Sequence, residues 1–159
     1  MYWRRRLTRL EIALYAALVG IVAAVFLERL LTYMELAERT AMEITVDRIN
    51  SALRLRLAGD MLEGRLIDVP AALDRNPFEL ARMAPANFHR QLDGSSIGDL
   101  ERGYWVFDRQ RRELVYLPRL HRRLQTDDPD DAVRFHLIPG MGTTYVLVPA
   151  SKYSWNWTF

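Results

Sequence analysis

The chain contains no cysteine among its 159 residues. This absence excludes disulfide bonds, zinc–thiolate sites and a thiol nucleophile, while it leaves the redox compartment open. The sequence also lacks an H-E-x-x-H motif, and its three histidines are scattered without the spacing of metal ligands. We therefore expect no catalytic function and no bound cofactor.

Proline and glycine are absent between Val25 and Ala58. This absence predicts a single long helix from about Leu7 to Leu57 that ends at Gly59. Such a helix is roughly 75 Å long, far beyond an average soluble helix. It needs a membrane along its first half, and a sheet or neighbouring helices along its second half.

Charge is absent from the 16 residues 12–27. The apolar pattern continues a little further, and we predict a transmembrane helix over residues 12–31. Basic residues precede this run, whereas acidic and basic residues mix after it, which predicts a cytoplasmic segment 1–11 and an exported remainder. The basic residues before the run are Arg4, Arg5, Arg6 and Arg9. The cluster is local, so it indicates topology rather than nucleic-acid binding.

Two other interpretations of this apolar run are a cleaved signal peptide and a buried helix of a soluble protein. No small-residue cleavage site follows Leu27, and the helical pattern continues unbroken, which favours a retained anchor. A buried soluble helix would place Glu11 and three consecutive arginines beside a core. A charged group within a bilayer is by default a functional hypothesis, although Glu11 also fits the head-group zone.

The N-terminal pattern Leu7-Thr8-Arg9-Leu10-Glu11 and the small-residue run of residues 20–25 resemble the first helix of type IV pilins and type II secretion pseudopilins. The resemblance implies a pilin-like or minor pseudopilin subunit in a bacterial inner membrane, with its globular part in the periplasm. Its partners would be other such subunits, inner-membrane assembly proteins and the lipid bilayer. In that family the glutamate pairs with a neighbour's N-terminal amine, a role that the resemblance gives to Glu11. Leu7 would be the methylated first residue.

Further segments look like the body of certain pseudopilin-like proteins, in the same order along the chain. They are 76–80, 85–88, 103–108, 113–118 and 153–155.

Two positions depart from the family pattern, because Arg6 stands where the family has glycine and Arg9 where it has an apolar residue. If residues 1–6 are retained, an arginine is the expected counter-charge of Glu11. The chain is then a non-polymerising bitopic adaptor of a secretion or pilus assembly platform. Both interpretations remain open at this point.

The remainder of the chain predicts an α+β fold, with the long helix packed on a small antiparallel sheet of four or five strands. Residues 32–58 continue the helix in the periplasm, and residues 59–159 form the globular domain. Hairpins are expected over 104–117 and 133–148, with Trp155 and Trp157 in a fifth strand. We expect Ala41, Ile44, Ile49 and Leu53 to face a sheet that carries Trp105, Phe107, Val115 and Val146. Residues 59–100 form a connector.

Three local signals complete the analysis. Asn76 and Pro77 predict a short helix that ends at Pro85. The carboxylates of Asp127, Asp128, Asp130 and Asp131 are a candidate calcium site, as in some pseudopilins, but they lack EF-hand spacing and we favour a solvated loop. The basic run 119–123 fits a solvated connection better than a dock for acidic phospholipid or a partner.

Overall fold

The computed structural model describes residues 8–65, 69–92, 97–140 and 144–156. The chain divides between Ala37 and Glu38 into two compact units. Helix α1 runs over Arg9–Leu62, a length of 54 residues. In the first unit the helix is the only regular element among the described residues. It begins at Arg9, whereas the predicted start, Leu7, lies outside the described residues.

The long-helix prediction is confirmed, but its predicted end is wrong. Helix α1 continues through Gly59 and ends beyond Leu62, where Gly64 adopts a left-handed conformation with φ of 69°. The Gly64 amide donates to the Met61 carbonyl, and the Arg65 amide donates to the Asp60 carbonyl. This pair of bonds is a Schellman motif, in which glycine at the left-handed position closes the helix. Gly64 is therefore the stop signal.

The second unit contains a five-stranded sheet in the order β1-β2-β3-β5-β6 and a separate pair β4-β7. The strands are β1 Phe88–Leu92, β2 Trp105–Asp108, β3 Glu113–Tyr116, β4 Leu124–Thr126, β5 Val133–Pro139, β6 Tyr145–Pro149 and β7 Tyr153–Trp155. Two short helices, α2 Val69–Leu73 and α3 Pro77–Ala81, precede them. The α+β prediction with a five-stranded sheet is confirmed. The sheet is mixed rather than antiparallel, because β1 pairs with β2 in parallel.

Both predicted hairpins are present. Strands β2 and β3 pair antiparallel from Trp105–Tyr116 to Asp108–Glu113, and the Asp108 carboxylate accepts bonds from the amides of Gln110 and Arg111 in the loop. Strands β5 and β6 form the second hairpin. Trp155 is in a strand as predicted, but β7 pairs with β4 rather than with the main sheet. Trp157 lies outside the described residues.

The apolar face of α1 in the second unit differs in phase from the predicted stripe. Ile49 and Leu53 are completely buried, whereas Ile44 is 45% exposed and Ala41 is exposed. The helix residues that reach the core are Met42, Val46, Ile49, Leu53 and Leu57. They follow steps of four and three, so they form one face. The predicted stripe was extrapolated from the spacing of apolar residues in the membrane segment. Because that segment is apolar on every side, it does not indicate which side of the helix faces the sheet.

The two faces of the sheet carry different clusters. One face shares a core with the helix and carries Trp105, Phe107, Leu114 and Tyr116. Trp105 and Phe107 were predicted to lie in this core. Val115 belongs instead to a second cluster on the other face, because successive strand residues point to opposite sides. Val146 is half-buried and lies in neither cluster.

The short helix α3 is capped as predicted, since the Asn76 carboxamide oxygen accepts the Phe78 amide at 3.0 Å. Its predicted end at Pro85 is wrong, because Arg82 already turns the chain with a φ of 52°. Phe78 then packs edge-on against Phe88 and Trp105. This contact brings the connector, which includes the unpredicted α2 and β1, onto the core.

Candidate functional site

The most distinctive surface is the first part of α1, because all 23 residues from 8 to 30 are exposed. Twelve large apolar side chains therefore have no protein cover there, which a soluble fold rarely tolerates. The large exposed hydrophobic residues of this segment are Leu10, Ile12, Leu14, Tyr15, Leu18, Val19, Ile21, Val22, Val25, Phe26, Leu27 and Leu30.

Among the described residues, α1 is the one helix long and apolar enough to cross a membrane. None of its most apolar stretch is buried inside the protein. A core helix of a soluble protein would pass the same test of length and composition, but most of it would be buried. The segment therefore fits a transmembrane span near the N-terminus, and a buried soluble helix does not fit.

The start of the helix is closed by a reciprocal pair of hydrogen bonds between Thr8 and Glu11. The Thr8 amide donates to the Glu11 carboxylate at 2.7 Å, and the Glu11 amide donates to the Thr8 hydroxyl at 3.3 Å. This arrangement is a capping box, which satisfies two amides that the first turn leaves unpaired. The negative charge of the Glu11 carboxylate also complements the positive end of the helix dipole. Thr8 and Glu11 thus have a structural function within their own chain.

The spacing of threonine and glutamate three residues apart, just before an apolar run, is itself the signal of a capping box. Sequence reasoning noted Thr8 only through the pilin resemblance, and it noted Glu11 through that resemblance and as a charge at the edge of the apolar run. Arg9 is exposed at the first helical position. Leu7 and the arginines Arg4, Arg5 and Arg6 lie outside the described residues.

A second polar arrangement, within the second unit, centres on Glu38. Its carboxylate accepts hydrogen bonds from the Tyr116 hydroxyl at 2.9 Å, the Arg119 amide at 2.7 Å and the Leu120 amide at 3.0 Å. Burial and then the nearby Glu38 charge raise the pKa of Tyr116 well above its usual value. The contacts fix the loop that follows β3 on the helix. Sequence reasoning missed them because the partners are about 80 residues apart.

The acidic stretch that was a candidate calcium site is organised around a buried arginine. The Arg134 guanidinium pairs with Asp128, and it lies 3.4 Å from the Glu113 carboxylate and 3.8 Å from the Asp130 carboxylate. Burial alone would lower the pKa of Arg134. The hydrogen bonds and negative charges of Asp128 and Glu113 outweigh that effect and raise the pKa of Arg134.

The remaining carboxylates of this stretch do not join that arrangement. Asp131 lies 3.8 Å from the His121 imidazole, and Asp127 is exposed. Among the described residues, no three acidic or histidine side chains converge as a metal site would require. The loop carboxylates that point inward therefore meet a guanidinium of the same chain.

Comparisons of the chain with protein-family models, with curated proteins and with solved structures find no match. The likeness to pilins and pseudopilins accordingly rests on the residues quoted above.

Proposed function

We propose that the chain is a pilin-like or minor pseudopilin subunit of a bacterial type II secretion or type IV pilus system. It is anchored in the inner membrane and assembles with similar subunits through the first part of α1. The observation that carries the proposal is the unbroken exposure of an apolar helix over residues 8–30. Such a surface needs lipid or other helices as its surroundings. Catalysis is not part of the proposed function.

The proposed topology places residues 1–11 in the cytoplasm and the second unit in the periplasm. Its support is the charge distribution, because four arginines precede the apolar run and mixed charges follow it. A short first segment of this kind is oriented mainly by its basic residues.

Close approach of a neighbouring helix is possible along one side of the apolar segment. Gly20 has no atom within 4 Å of the position that a Cβ would take. Ala13, Ala17 and Ala24 recur at steps of three and four around it. Small residues at this spacing let helix backbones approach closely in lipid, where packing rather than water drives association.

The second candidate is the bitopic adaptor, and the capping box supports it. The Glu11 carboxylate already has a partner in the Thr8 amide of its own chain, so it does not require a neighbour's amine. Arg6 in place of glycine points the same way, since an uncut N-terminus leaves no free amine beside Glu11.

Two substitutions of Glu11 distinguish capping from pairing between subunits. Glu11→Gln keeps a side chain that can complete a capping box but removes the charge, whereas Glu11→Ala removes both. If the charge pairs subunits, both variants should lower crosslinking in the membrane by roughly tenfold or more, because bonds to charged groups are strong. The measurement is disulfide crosslinking from a single cysteine placed at exposed Leu18, in the native host membrane.

Glu28→Gln is the matched control, because Glu28 is another exposed carboxylate on the same helix and should leave crosslinking unchanged. Wild-type crosslinking in the Glu11→Gln variant, with loss only in Glu11→Ala, would show that Glu11 acts as a cap. That result would refute charge pairing at this position.

A further inference from the structure

Within the second unit, helix α1 has a second regular face on the side away from the sheet. Seven exposed residues there, here named the outer stripe, recur at alternating steps of three and four. They are Ala41, Ile44, Arg48, Ser51, Leu55, Ala58 and Leu62. Ser51 follows buried Ile49 by two residues, which correspond to about 200° around a helix, so the outer stripe lies opposite the core face. It includes Ala41 and Ile44, which were predicted to face the sheet.

The spacing of the outer stripe is that of a coiled-coil seam. Alternating steps of three and four make a repeat of seven, which keeps one stripe facing a partner helix when the two helices supercoil. Five of the seven residues are apolar, and Leu55 and Leu62 are 76% and 90% exposed. The stripe covers residues 41–62, about 33 Å of helix. A second helix is the partner that this spacing fits.

Charges on this face indicate which helix covers it. Asp47 and Arg48 are both exposed, and in the part of the chain that the structure describes neither forms an ion pair. Arg48 lies in the seam itself. In a parallel pair of identical helices, a residue at this seam position packs beside the residue that precedes its counterpart on the other helix. Arg48 would therefore meet Asp47 of a second copy, and the two-fold symmetry forms the same pair twice.

An antiparallel pair of the same helices would leave the seam charge unmatched. In that arrangement equivalent residues beside the seam face one another, so Asp47 would meet Arg54 of the second copy instead of Arg48. Arg48 would then lie in the seam without an acid. An unpaired charge costs more in a seam than at the solvent-exposed edge, where Arg54 lies in the parallel pair. The charges therefore favour the parallel arrangement in register.

We propose that the outer stripe binds the outer stripe of a second copy of this chain as a parallel, in-register coiled coil. The contact lies wholly within the second unit and goes beyond the proposed function, because it applies equally to an assembling subunit and to an adaptor. Arg48 sets the register, as a single polar residue at a seam position does in coiled coils, at a cost in stability. The dimer should therefore dissociate on dilution, and the unfolding of the dilute chain then reports on a single copy.

Single cysteines test the register, because the chain has no cysteine of its own. Ile44→Cys and Leu55→Cys each place one thiol in the seam, and Gln110→Cys places one on the exposed loop between β2 and β3 as a control. The full chain in detergent is oxidised mildly, and the disulfide-linked fraction is measured against protein concentration. We expect linking at 44 and at 55 and none at 110. A mixture of the two seam variants should link like positions only, because 44 and 55 are about 16 Å apart along the helix.

Exchange of the two charges tests the partner. Arg48→Asp should lower the association constant by about tenfold, because each dimer loses two charge pairs. The double variant Asp47→Arg/Arg48→Asp should restore linking, since the pair forms again with its signs exchanged. The matched control is Arg54→Asp, the same change at another exposed position of this face, and it should leave linking at 44 and 55 unchanged.

Linking at 44 and 55 that is no greater than at 110 would overturn the proposal. Links between 44 and 55 in the mixture, with loss of linking in Arg54→Asp, would show an antiparallel pair and overturn it as well. Failure of the charge exchange to restore linking would refute the pairing of Arg48 with Asp47, and with it the choice of a second copy. The Leu18 cysteine described above separates this contact from the proposed function. Linking at 18 without linking at 44 or 55 contradicts only the outer-stripe contact, and the reverse result contradicts only assembly through the first part of α1.

Discussion

Ile49→Asp is expected to unfold the second unit. Ile49 has no exposed surface and lies in the cluster that joins α1 to the sheet. A carboxylate there loses its hydration without gaining a partner, and the apolar contacts of isoleucine are lost as well. The combined loss is about 5 kcal/mol or more, which equals the whole stability of the least stable domains.

The matched control is Ile44→Asp, the same change five residues earlier on the same helix. Leu55→Asp is a second control on the same helix. Ile44 is 45% exposed and Leu55 is 76% exposed, so an aspartate at either position remains hydrated. We expect these variants to lie within about 0.5 kcal/mol of the wild type. Chemical denaturation of the full chain in detergent, followed by the fluorescence of buried Trp105 and Trp155, measures the difference. Comparable stability of the Ile49 and Ile44 variants would contradict the observed phase of the helix.

Arg134→Met is expected to lower the free energy of unfolding by about 3–5 kcal/mol. The side chains of Arg134 and Asp128 are only 7% and 5% exposed, so the substitution leaves a buried carboxylate without its cation. Adding Asp128→Asn should recover part of the loss, because the uncompensated charge is removed as well. Arg111→Met, at an exposed position, should have little effect.

The same denaturation measurement applies to this set of variants. A loss of about 1 kcal/mol or less for Arg134→Met, as is usual for exposed pairs, would mean that the pair is hydrated. No recovery in the double variant would mean that the arginine acts by packing rather than by charge.

Local sequence patterns predicted the parts of the fold that depend on neighbours in sequence. Two apolar strands around a short loop, polar in the first hairpin and rich in glycine in the second, identified both hairpins. The absence of helix breakers identified α1. Ile49 and Leu53 were placed correctly, but Ala41 and Ile44 were not, because the phase was extrapolated from a segment that is apolar on every side. Gly59 was mistaken for a stop, although a helix accommodates one half-buried glycine at a modest cost.

Pairings between distant segments were not visible in the sequence. Strand β1 lies in a stretch with many glycines and prolines, which hides it as a strand. Its parallel partner β2 begins only after a further connecting segment, so no hairpin pattern links the two strands. Strand β4 is three residues long and pairs with β7 near the other end of the domain. The bonds of Glu38 to the loop that follows β3 are equally remote in sequence, and a lone glutamate on a charged helix carries no local signal. The capping box of Thr8 and Glu11 was predictable from spacing alone.

The mass of the mature N-terminus, measured on protein isolated from its native membrane, tests the pilin-like assignment most directly. Pilin-type processing would remove residues 1–6 and leave a chain that begins at Leu7 with a methylated amine. The account predicts this product. A chain that keeps Arg6 would contradict it in favour of the adaptor, and a chain that begins beyond Leu27 would contradict the membrane anchor altogether.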